Sequence, residues 1–291
     1  MDISIIIVNF KTEKLTLQTI ASVFQADPPS GRIEVILVDN ASQDNTGAKV
    51  RKKFPQVKII QTDKNLGFAG GNNLGLRQAK GRYILLLNSD TIIQPDTLIT
   101  MVKFMNENPQ VGLSTCRVEL VNGNIDPASH RGFPFPWAAF TYLSGLEKLF
   151  PHSPLFSRYH QGWKDLNTTH EIDSPVGAFF FLRQKALSQV GLLDEKFFMY
   201  GEDIDLAFRI KQAGWKIMYV PQTKITHLKG ASGLNNQAKQ SRLITTQNFF
   251  AAMKIFYSKH YQKKYLFPLR WLVFLGIDLL KQIRLLKIKL G

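Results

Sequence analysis

The first 115 residues alternate between short apolar runs and stretches of helical pattern, and this alternation restricts the fold more than any other feature. The apolar runs are continuous, as expected for strands that are covered on both faces. We predict strands at Ile3–Val8, Ile33–Val38, Val57–Gln61, Tyr83–Leu87 and Val111–Thr115, and helices at about Glu13–Gln25, Asp44–Phe54, Gly71–Ala79 and Pro95–Asn106. This order predicts an α/β fold with a central mixed, mostly parallel sheet flanked by helices.

The regular alternation ends after residue 115. Asn122-Gly123 predicts a hairpin turn, and residues 126–170 contain Pro, aromatic and His residues without a clear period. Further strands are predicted at Ala178–Leu182, Trp215–Val220 and Thr223–Leu228, and helices from about residue 238. We therefore expect a strand-and-helix domain at 1–235 and a helical extension at 236–291.

Polar residues follow four of the predicted strands at the point where each strand ends. They are Asn9, Asp39-Asn40, the loop Asp63–Gly71 and Asn88-Ser89-Asp90. In open α/β sheets, ligands bind beyond the carboxyl ends of the strands. A polar residue at the end of one strand is common in turns. Polar residues at the ends of four strands together predict a binding site.

A run of acids opens a helical pattern later in the chain. Glu202, Asp203 and Asp205 follow the aromatic segment Phe197–Gly201. Acids in a first helical turn stabilise the helix dipole, which is one interpretation. A carboxylate beside apolar walls is also a candidate general base. The residues alone leave both interpretations open.

Five motifs, taken in their order and spacing, resemble family 2 glycosyltransferases of the GT-A fold, in the bacterial rhamnosyltransferase-like branch. They are Val8-Asn9-Phe10, Val38–Asp44, Asn65–Asn73, Leu87–Thr91 and Gly201–Asp205. The resemblance covers about residues 3–230. It implies a nucleotide-sugar-binding half at 1–115 and an acceptor and catalytic half at 116–235, with 126–170 on the acceptor side.

The resemblance implies an inverting glycosyltransferase that moves L-rhamnose from dTDP-L-rhamnose to a polyprenyl-diphosphate-linked saccharide, in bacterial cell-surface polysaccharide synthesis. A UDP-hexose donor is the alternative within the same fold. A nucleotidyltransferase would need a glycine-rich loop with Arg and Lys after the first strand, where this chain has Asn9-Phe10-Lys11-Thr12. A non-catalytic membrane or nucleic-acid binder would leave Asp39, Asp90 and Asp203 unexplained.

The implied donor contacts lie at the strand ends and in the glycine-containing loop. Asp39 would accept the imide N–H of thymine or uracil, but it could instead cap the next helix, as Ser42 or Asp44 also could. The loop glycines would let backbone approach the ribose and diphosphate. The expected nucleotide-sugar contacts are Asn9, Asp39, Asn40, Asn65, Gly67, Phe68, Asn72, Asn88, Ser89 and Lys229.

The resemblance also implies Mg²⁺ or Mn²⁺ at the diphosphate, with Asp90 and His227 as metal ligands. Few protein ligands are needed, because phosphates and waters complete the coordination shell. The fold usually has Asp-x-Asp here, whereas this chain has Asn88-Ser89-Asp90 and lacks one carboxylate. A lone histidine can equally be structural.

Within the acidic pair, the resemblance places the general base on Asp203. Glu202 would hydrogen-bond the acceptor or hold the loop. The base would remove the proton of the acceptor hydroxyl as its oxygen attacks the sugar carbon.

The net charge of +15 lies entirely in the C-terminal part. Residues 1–205 carry 21 basic and 21 acidic side chains, whereas residues 206–291 carry 16 basic ones and a single acid, Asp278. On a helical projection, one narrow face holds Leu272, Leu275, Leu279, Ile283, Leu286 and Leu290, roughly opposite Arg270, Lys281 and Arg284.

This pattern predicts an amphipathic basic helix on an anionic membrane surface. The alternative is a helix packed on the domain with a solvated basic face. The longest uncharged run there, Trp271–Ile277, is far shorter than the roughly 20 residues of a transmembrane helix. Nucleic acid is not expected as a partner, because no recognised nucleic-acid motif accompanies the charge.

The single cysteine, Cys116, cannot form an intrachain disulfide and suits a reducing compartment. The first residues enter a strand pattern without the basic region and cleavage site of a signal peptide. We therefore expect a peripheral protein on the cytoplasmic face of the inner or plasma membrane.

Overall fold

The computed structural model describes residues 2–27, 32–228 and 239–290. Its strands are β1 (Ile3–Asn9), β2 (Ile33–Asp39), β3 (Lys58–Gln61), β4 (Tyr83–Asn88), β5 (Thr91–Ile93), β6 (Val111–Leu120), β7 (His170–Glu171), β8 (Phe179–Arg183) and β9 (Lys216–His227). Its helices are α1 (Glu13–Gln25), α2 (Thr46–Lys53), α3 (Gly67–Gln78), α4 (Thr97–Glu107), α5 (Pro136–Ser144), α6 (Leu146–Leu149), α7 (Gln184–Val190), α8 (Glu202–Gln212), α9 (Lys239–His260) and α10 (Phe267–Leu290).

Within these residues the strands form one mixed sheet in the order β3-β2-β1-β4-β8-β6-β9-β5, with β7 paired to β9. The block from β3 to β4 is parallel. Its register places Asn9 beside Asp39, and Val8 beside Asn88. The predicted α/β architecture is confirmed, and the polar strand ends meet at one edge of the sheet.

The two strands predicted at 215–228 are one continuous strand, β9. Its parallel register with β6 shifts between the pairs Cys116–Val220 and Arg117–Lys224. Pro221 has no N–H for the ladder, and a bulge accommodates such a residue. Beyond the bulge, β9 pairs with β5, which the sequence did not predict, and His227 lies opposite Thr91. This pairing brings His227 to the end of β4.

The predicted helix at 71–79 begins earlier, at Gly67, so the glycine-containing segment is mostly the first turns of α3. The physical reason is close packing. A Cβ on Gly71 would lie 2.8 Å from Val8, and one on Gly75 would lie 2.5 Å from Ile6. These glycines let α3 approach β1.

Two buried apolar clusters cover the two faces of the sheet, since Ile5 belongs to one and Ile6 to the other. A third cluster joins α8 and the segment before it to the C-terminal helices. It contains Phe197, Ile204 and Phe208 with Ala252, Phe256, Tyr257 and Tyr261 of the α9 region. The predicted boundary at residue 235 lies outside the described residues, and α9 packs directly on α8.

The predicted apolar stripe of α10 is exposed. Leu272, Leu275, Leu279, Ile283, Leu286 and Leu290 are between 41% and 87% accessible. The opposite side packs on α9 through the buried Ile277 and Ile288. The stripe therefore points away from the rest of the protein. In the described ranges, no helix is long and apolar enough to cross a membrane.

Candidate active site

Asn9, at the end of β1, is the centre of a buried hydrogen-bond network. Its Oδ1 accepts hydrogen bonds from Thr12 Oγ1 at 2.8 Å and Thr16 Oγ1 at 2.9 Å. Its Nδ2 donates to Ser42 Oγ at 2.8 Å and to Asp39 Oδ1 at 3.3 Å. Because both ends of the amide are used internally, Asn9 is suited to orienting Asp39.

Asp39 ends β2 and is only 4% exposed. Its Oδ1 accepts hydrogen bonds from Asn9 and from the backbone N–H of Ser42 at 3.3 Å. No described residue donates to its Oδ2. The next helix takes its first-turn contact from Asp44, whose Oδ1 accepts from Thr46 N at 2.9 Å. The contact at the start of α2 is therefore made by Asp44 rather than by Asp39. The Oδ2 atom of Asp39 is available to a ligand.

Asn40 holds the loop before α3. Its Nδ2 donates to Asn65 Oδ1 and to the carbonyl of Gly67, both at 3.0 Å, and its Oδ1 accepts from Leu66 N at 2.9 Å. Asn65 also accepts from Gly67 N at 2.9 Å. These two predicted donor contacts thus fix the loop conformation through their side chains.

Gly67 and Phe68 lie against the segment that precedes the acids. Gly67 has a φ of +72°, and a Cβ there would lie 2.2 Å from the carbonyl oxygen of Phe198. The same carbonyl accepts a hydrogen bond from Phe68 N at 2.9 Å. Two motifs far apart in sequence therefore meet through the backbone.

Two asparagines of α3 make side-chain hydrogen bonds, one within the helix and one to the segment after α7. Asn72 donates to the carbonyl of Phe68 at 2.9 Å. Asn73 donates to the carbonyl of Leu193 at 2.9 Å and to Glu195 Oε1 at 2.8 Å. Nothing in the sequence marks the contacts of Asn73, because its partners Leu193 and Glu195 are about 120 residues away.

Asn88 and Ser89 occupy the end of β4. Ser89 Oγ lies 3.0 Å from Thr12 Oγ1. The side-chain oxygen of Asn88 is buried and has no hydrogen-bond partner among the described residues. Buried polar atoms are nearly always paired, so this oxygen points to a ligand or water.

Asp90 and His227 come together, as predicted. His227 Nε2 lies 3.2 Å from Asp90 Oδ1, and its Nδ1 lies 3.3 Å from Asp126 Oδ2. Burial by itself lowers the pKa of His227, but the hydrogen bonds with Asp126 and Asp90 outweigh it and raise this pKa to about 9. Asp126 was not predicted as a site residue.

The donor atoms of this pair fit a divalent cation when the His227 imidazole is neutral, so binding of the cation would release a proton from it. Among the described residues, no group of three or more His, Cys, Asp or Glu is placed to hold a metal. Two protein ligands suffice where phosphates supply the others, and adjacent ligands of an octahedron at about 2.1 Å are about 3 Å apart. Asp126 stands behind the imidazole, as carboxylates often do behind metal-bound histidines. The imidazole nitrogen suits Mn²⁺ better than Mg²⁺, which prefers oxygen.

Asp203, on the first turn of α8, is held by Arg131. Arg131 Nη2 donates to Asp203 Oδ2 at 2.7 Å and to the carbonyl of Pro175 at 2.7 Å. Gly177 N donates to the same carboxylate oxygen at 3.3 Å. Arg131 was missed because it lies in a segment without periodicity, and nothing in the sequence marks it.

The candidate base and the first turn of α3 share one wall. A Cβ on Gly177 would lie 3.4 Å from Phe68 Cζ and 3.8 Å from Asp203 Cβ. Phe68 and Asp203 therefore flank the same glycine. This places the candidate base next to the segment that is expected to bind the donor.

Glu202 differs from its neighbour in environment. It is 5% exposed, and its Oε2 has no hydrogen-bond partner in the described part of the chain. Burial and the negative charge of Asp203 raise the pKa of Glu202 well above its ordinary value. A protonated Glu202 is a hydrogen-bond donor rather than a base.

Asp205 is fully buried and structural. It pairs with Arg209 in its own helix and with Lys259 and His260 of α9, at 2.9, 2.8 and 2.7 Å. Burial alone would raise the pKa of Asp205, but hydrogen bonds from His260 and Lys259 and the charge of Arg209 lower it to about 2. The third acid of the motif thus attaches α9 to α8.

Lys229, a predicted donor contact, lies outside the described residues. The segment at 126–170, which is expected on the acceptor side, carries exposed apolar side chains that are between 39% and 71% accessible. They are Trp137, Phe140, Tyr142, Leu149, Phe150 and Leu155. Phe198, Met199 and Tyr200, directly before the acids, are 37–44% exposed. An apolar surface therefore lies beside Asp203.

The chain is similar to several known proteins. It is 25% identical over 215 residues to N-acetylglucosaminyl-diphospho-decaprenol L-rhamnosyltransferase of Mycobacterium tuberculosis, covering 69% of this chain and 68% of that protein. It is 26% identical over 208 residues to rhamnosyltransferase WbbL of Escherichia coli K12, covering 68% and 75%.

The fold matches a solved structure, the mannosyltransferase PcManGT from Pyrobaculum calidifontis in complex with GDP-Man and Mn²⁺. The TM-score is 0.62 at 17% identity, over 99% of this chain and 72% of that one. The expected GT-A fold is thereby confirmed. Residues 4–191 match the sequence profile of the family described as Glycosyl transferase family 2. The chain belongs to glycosyl transferase family 2.

Proposed function

We propose that the protein is an inverting glycosyltransferase that moves L-rhamnose from dTDP-L-rhamnose to a polyprenyl-diphosphate-linked saccharide. The observation that carries the proposal is the shared wall at Gly177, against which both Asp203 and Phe68 lie. A sugar held over the start of α3 lies within reach of a base there. The two rhamnosyltransferases named above support rhamnose as the transferred sugar, and the one from Mycobacterium tuberculosis supports the acceptor class.

In the proposed reaction, Asp203 accepts the proton of the acceptor hydroxyl. The hydroxyl oxygen attacks the anomeric carbon from the side opposite the diphosphate. The bond from that carbon to the diphosphate oxygen breaks, and the configuration inverts. A positioned general base contributes about 10²–10⁴-fold, roughly 3–5 kcal/mol of barrier. Glu202 donates a hydrogen bond to the acceptor.

The nucleotide base is proposed to lie against Asp39. The Oδ2 of this carboxylate accepts the imide N–H of thymine or uracil, which cytosine lacks. Asn9 and Asn40 act as positioning residues for Asp39 and for the loop at 65–67. Because thymine and uracil both have the imide N–H that Asp39 is proposed to bind, a UDP-hexose remains the second candidate donor.

A divalent cation is proposed to bind Asp90 and His227, with the side-chain oxygen of Asn88 next to this site. When bound, it neutralises negative charge on the departing nucleotide. Asp126 keeps the imidazole turned toward Asp90. Lys229 is proposed as a further diphosphate contact.

The extension is proposed to attach the enzyme to the cytoplasmic face of the inner or plasma membrane, where a lipid-linked acceptor is found. The support is the exposed stripe of α10 together with the excess of basic residues after residue 205. Apolar burial and attraction to anionic lipid add together in such helices.

A donor screen tests the enzymatic proposal. Purified protein is mixed with dTDP- and UDP-sugars, Mn²⁺ and a lipid-linked saccharide, and nucleotide release is measured. dTDP-L-rhamnose is expected to give the highest rate.

The same assay tests the base. Asp203→Asn is expected to reduce transfer at least about a hundredfold with donor affinity unchanged. The exposed Glu107→Gln of α4 serves as the neutral control. A rate above a tenth of wild type in Asp203→Asn would contradict the role of the base.

The membrane proposal is tested by vesicle flotation. Leu275→Ser with Leu279→Ser is expected to release the protein from anionic vesicles, while Ile99→Ser, an equally exposed residue of α4, is the matched control. Point substitution is preferable to deletion from residue 262, because Tyr265, Val273 and Phe274 pack on the third apolar cluster. Unchanged flotation of the stripe variant would show that α10 is a structural helix only.

A further inference from the structure

Gly177 lies just before β8, at the edge of the sheet where the polar strand ends meet. The backbone N–H of Asn88, at the end of β4, donates to the carbonyl of the next residue, Ala178, at 3.1 Å. In the sheet, β1 and β4 separate β8 from β2, and neighbouring strands are about 4.8 Å apart, so β8 is roughly 14 Å from β2. Gly177 is therefore well separated from the nucleobase proposed at Asp39, by a distance that leaves room for a diphosphate between them.

Neither backbone strain nor packing explains a glycine at position 177. Its φ is not in the positive range that favours glycine. A Cβ there would meet Phe68 Cζ at 3.4 Å and Asp203 Cβ at 3.8 Å, which are ordinary van der Waals distances. Among the described glycines, only Gly276 of α10 likewise has neither a positive φ nor a contact that a Cβ would make too short. The folded chain itself thus gives no reason for the missing side chain of Gly177.

The space that a side chain at 177 would fill lies between two segments of the candidate site. Phe68 belongs to the first turn of α3, and Asp203 belongs to the first turn of α8. Gly177, Phe68 and Asp203 are all partly accessible. The gap is therefore open space between the segment that is expected to bind the donor and the candidate base.

Access to the Asp203 carboxylate is narrow. The side chain is only 12% exposed. Its Oδ2 accepts hydrogen bonds from Arg131 at 2.7 Å and from Gly177 N at 3.3 Å, and its Oδ1 accepts from Ile204 N at 2.8 Å. Because Gly177 itself contacts the carboxylate, a reactant that reaches the base has to pass close to this glycine.

We propose that the missing side chain of Gly177 leaves room for the transferred sugar, whose reacting carbon lies over the bare Cα of this residue, between Phe68 and Asp203. Gly177 is then a specificity-determining position of the donor-sugar site. The inference rests on the glycosyl transfer proposed above and adds to it where the sugar lies. In that reaction only the attacking oxygen separates the base from the reacting carbon, so a methyl group at 177 would compete with the sugar for the same space.

Titration calorimetry with Gly177→Ala tests the proposal, because this variant keeps the N–H that contacts Asp203 and adds a single methyl group. Its affinity for dTDP-L-rhamnose is expected to fall about tenfold to a hundredfold, the effect of one extra methylene-sized group in a binding pocket. Its affinity for dTDP is expected to be unchanged. The matched control is Gly276→Ala, whose new methyl meets nothing within 4 Å and is expected to change neither affinity.

Two further measurements separate lost space from a folding defect. The melting temperature of Gly177→Ala is expected to equal or slightly exceed that of wild type, because alanine lowers the entropy of the unfolded chain. Adding Phe68→Leu to Gly177→Ala removes the ring atoms that face the new methyl. This double variant is expected to regain affinity for dTDP-L-rhamnose by about threefold or more relative to the product of the single effects, since contacting residues are energetically coupled.

The same titrations with UDP-glucose and UDP distinguish this inference from the rhamnose proposal. A loss that depends on the sugar but occurs only with UDP-glucose would contradict rhamnose as the transferred sugar and would support the space at Gly177. Because binding is measured without an acceptor, a protein that binds a nucleotide sugar but transfers nothing would contradict the proposed function and not this inference.

The inference is overturned if Gly177→Ala binds both nucleotide sugars as tightly as wild type does. It is also overturned if dTDP and UDP lose as much affinity as their sugar conjugates, or if the melting temperature falls, which would give Gly177 a packing role. Unchanged donor affinity with a raised KM for a water-soluble acceptor analogue would assign the space to the acceptor instead.

Discussion

Arg131 and Asp203 meet at 2.7 Å between Nη2 and Oδ2, with side chains only 9% and 12% exposed. The arginine is itself fixed by the carbonyl of Pro175. Through this pair, the segment that contains Arg131 determines where the carboxylate of Asp203 points. Arg131 is therefore a positioning residue for the proposed base, acting through Asp203 rather than on the sugar.

Arg131→Met is expected to lower kcat about a hundredfold and to leave donor affinity unchanged, because the base loses its orientation while the donor site is intact. Arg131→Lys should recover part of the rate, since it restores the charge without the second hydrogen bond. Single-turnover transfer and nucleotide titration calorimetry measure the two effects. A weakened donor affinity with unchanged kcat would place Arg131 in the donor site.

Asp39→Asn is expected to weaken binding of dTDP and UDP about tenfold to a hundredfold, because a charged hydrogen bond to the base is lost. Ser42→Ala removes a neighbour in the same network and is the control for indirect damage. Equilibrium titration of both nucleotides measures the change. Equal losses in the two variants would mean that Asp39 acts only in the network.

Asp90→Ala is expected to weaken nucleotide-sugar binding when Mn²⁺ is present and to have little effect in EDTA, since a cation couples this carboxylate to the diphosphate. His227→Ala should show the same dependence if His227 is a ligand, and should lower the melting temperature if it is structural. Losses in Asp90→Ala that are identical with and without EDTA would rule out the metal role.

The low pKa of Asp205 predicts how the free energy of unfolding depends on pH. Its folded-state pKa of about 2 lies below the unfolded value of about 3.9, so the folded state favours the carboxylate. The resulting stabilisation, about 2.6 kcal/mol, is complete above about pH 5 and is lost as the pH falls from about 4 to 2.

Asp205→Asn is therefore expected to cost about 3 kcal/mol near pH 7 and to flatten this acidic decline. Urea unfolding between pH 3 and pH 7 measures both effects, with the exposed Asp165→Asn as control. A variant whose stability falls as steeply as that of wild type in acid would exclude Asp205 as the source.

The parallel half of the sheet was predictable because its strands are continuous apolar runs between amphipathic helices. Predictions failed where tertiary context decides the structure. β5 has only three residues and exists because β9 pairs with it. The start of α3 at Gly67 was misjudged, since its glycines serve packing against Val8 rather than a loop.

The candidate site was predictable where a residue ends a strand or begins a helix. Asp39, Asp90 and Asp203 lie at such points, and sheet topology brings the first two to one edge. Arg131, Asp126 and Asn73 were not predictable, because each acts through contacts with residues far away in the sequence. Such contacts produce no hydrophobic periodicity and no characteristic residue spacing in a sequence.

The attachment of α9 to α8 also links the C-terminal helices to the proposed base. Asp205 takes two of its counter-ions from Lys259 and His260. In a chain that ends before these residues, Arg209 is the remaining ion-pair partner of Asp205, and a buried charge without its full set of partners costs several kcal/mol. A truncated chain is therefore expected to hold α8, and with it Asp203, less firmly than the full-length chain.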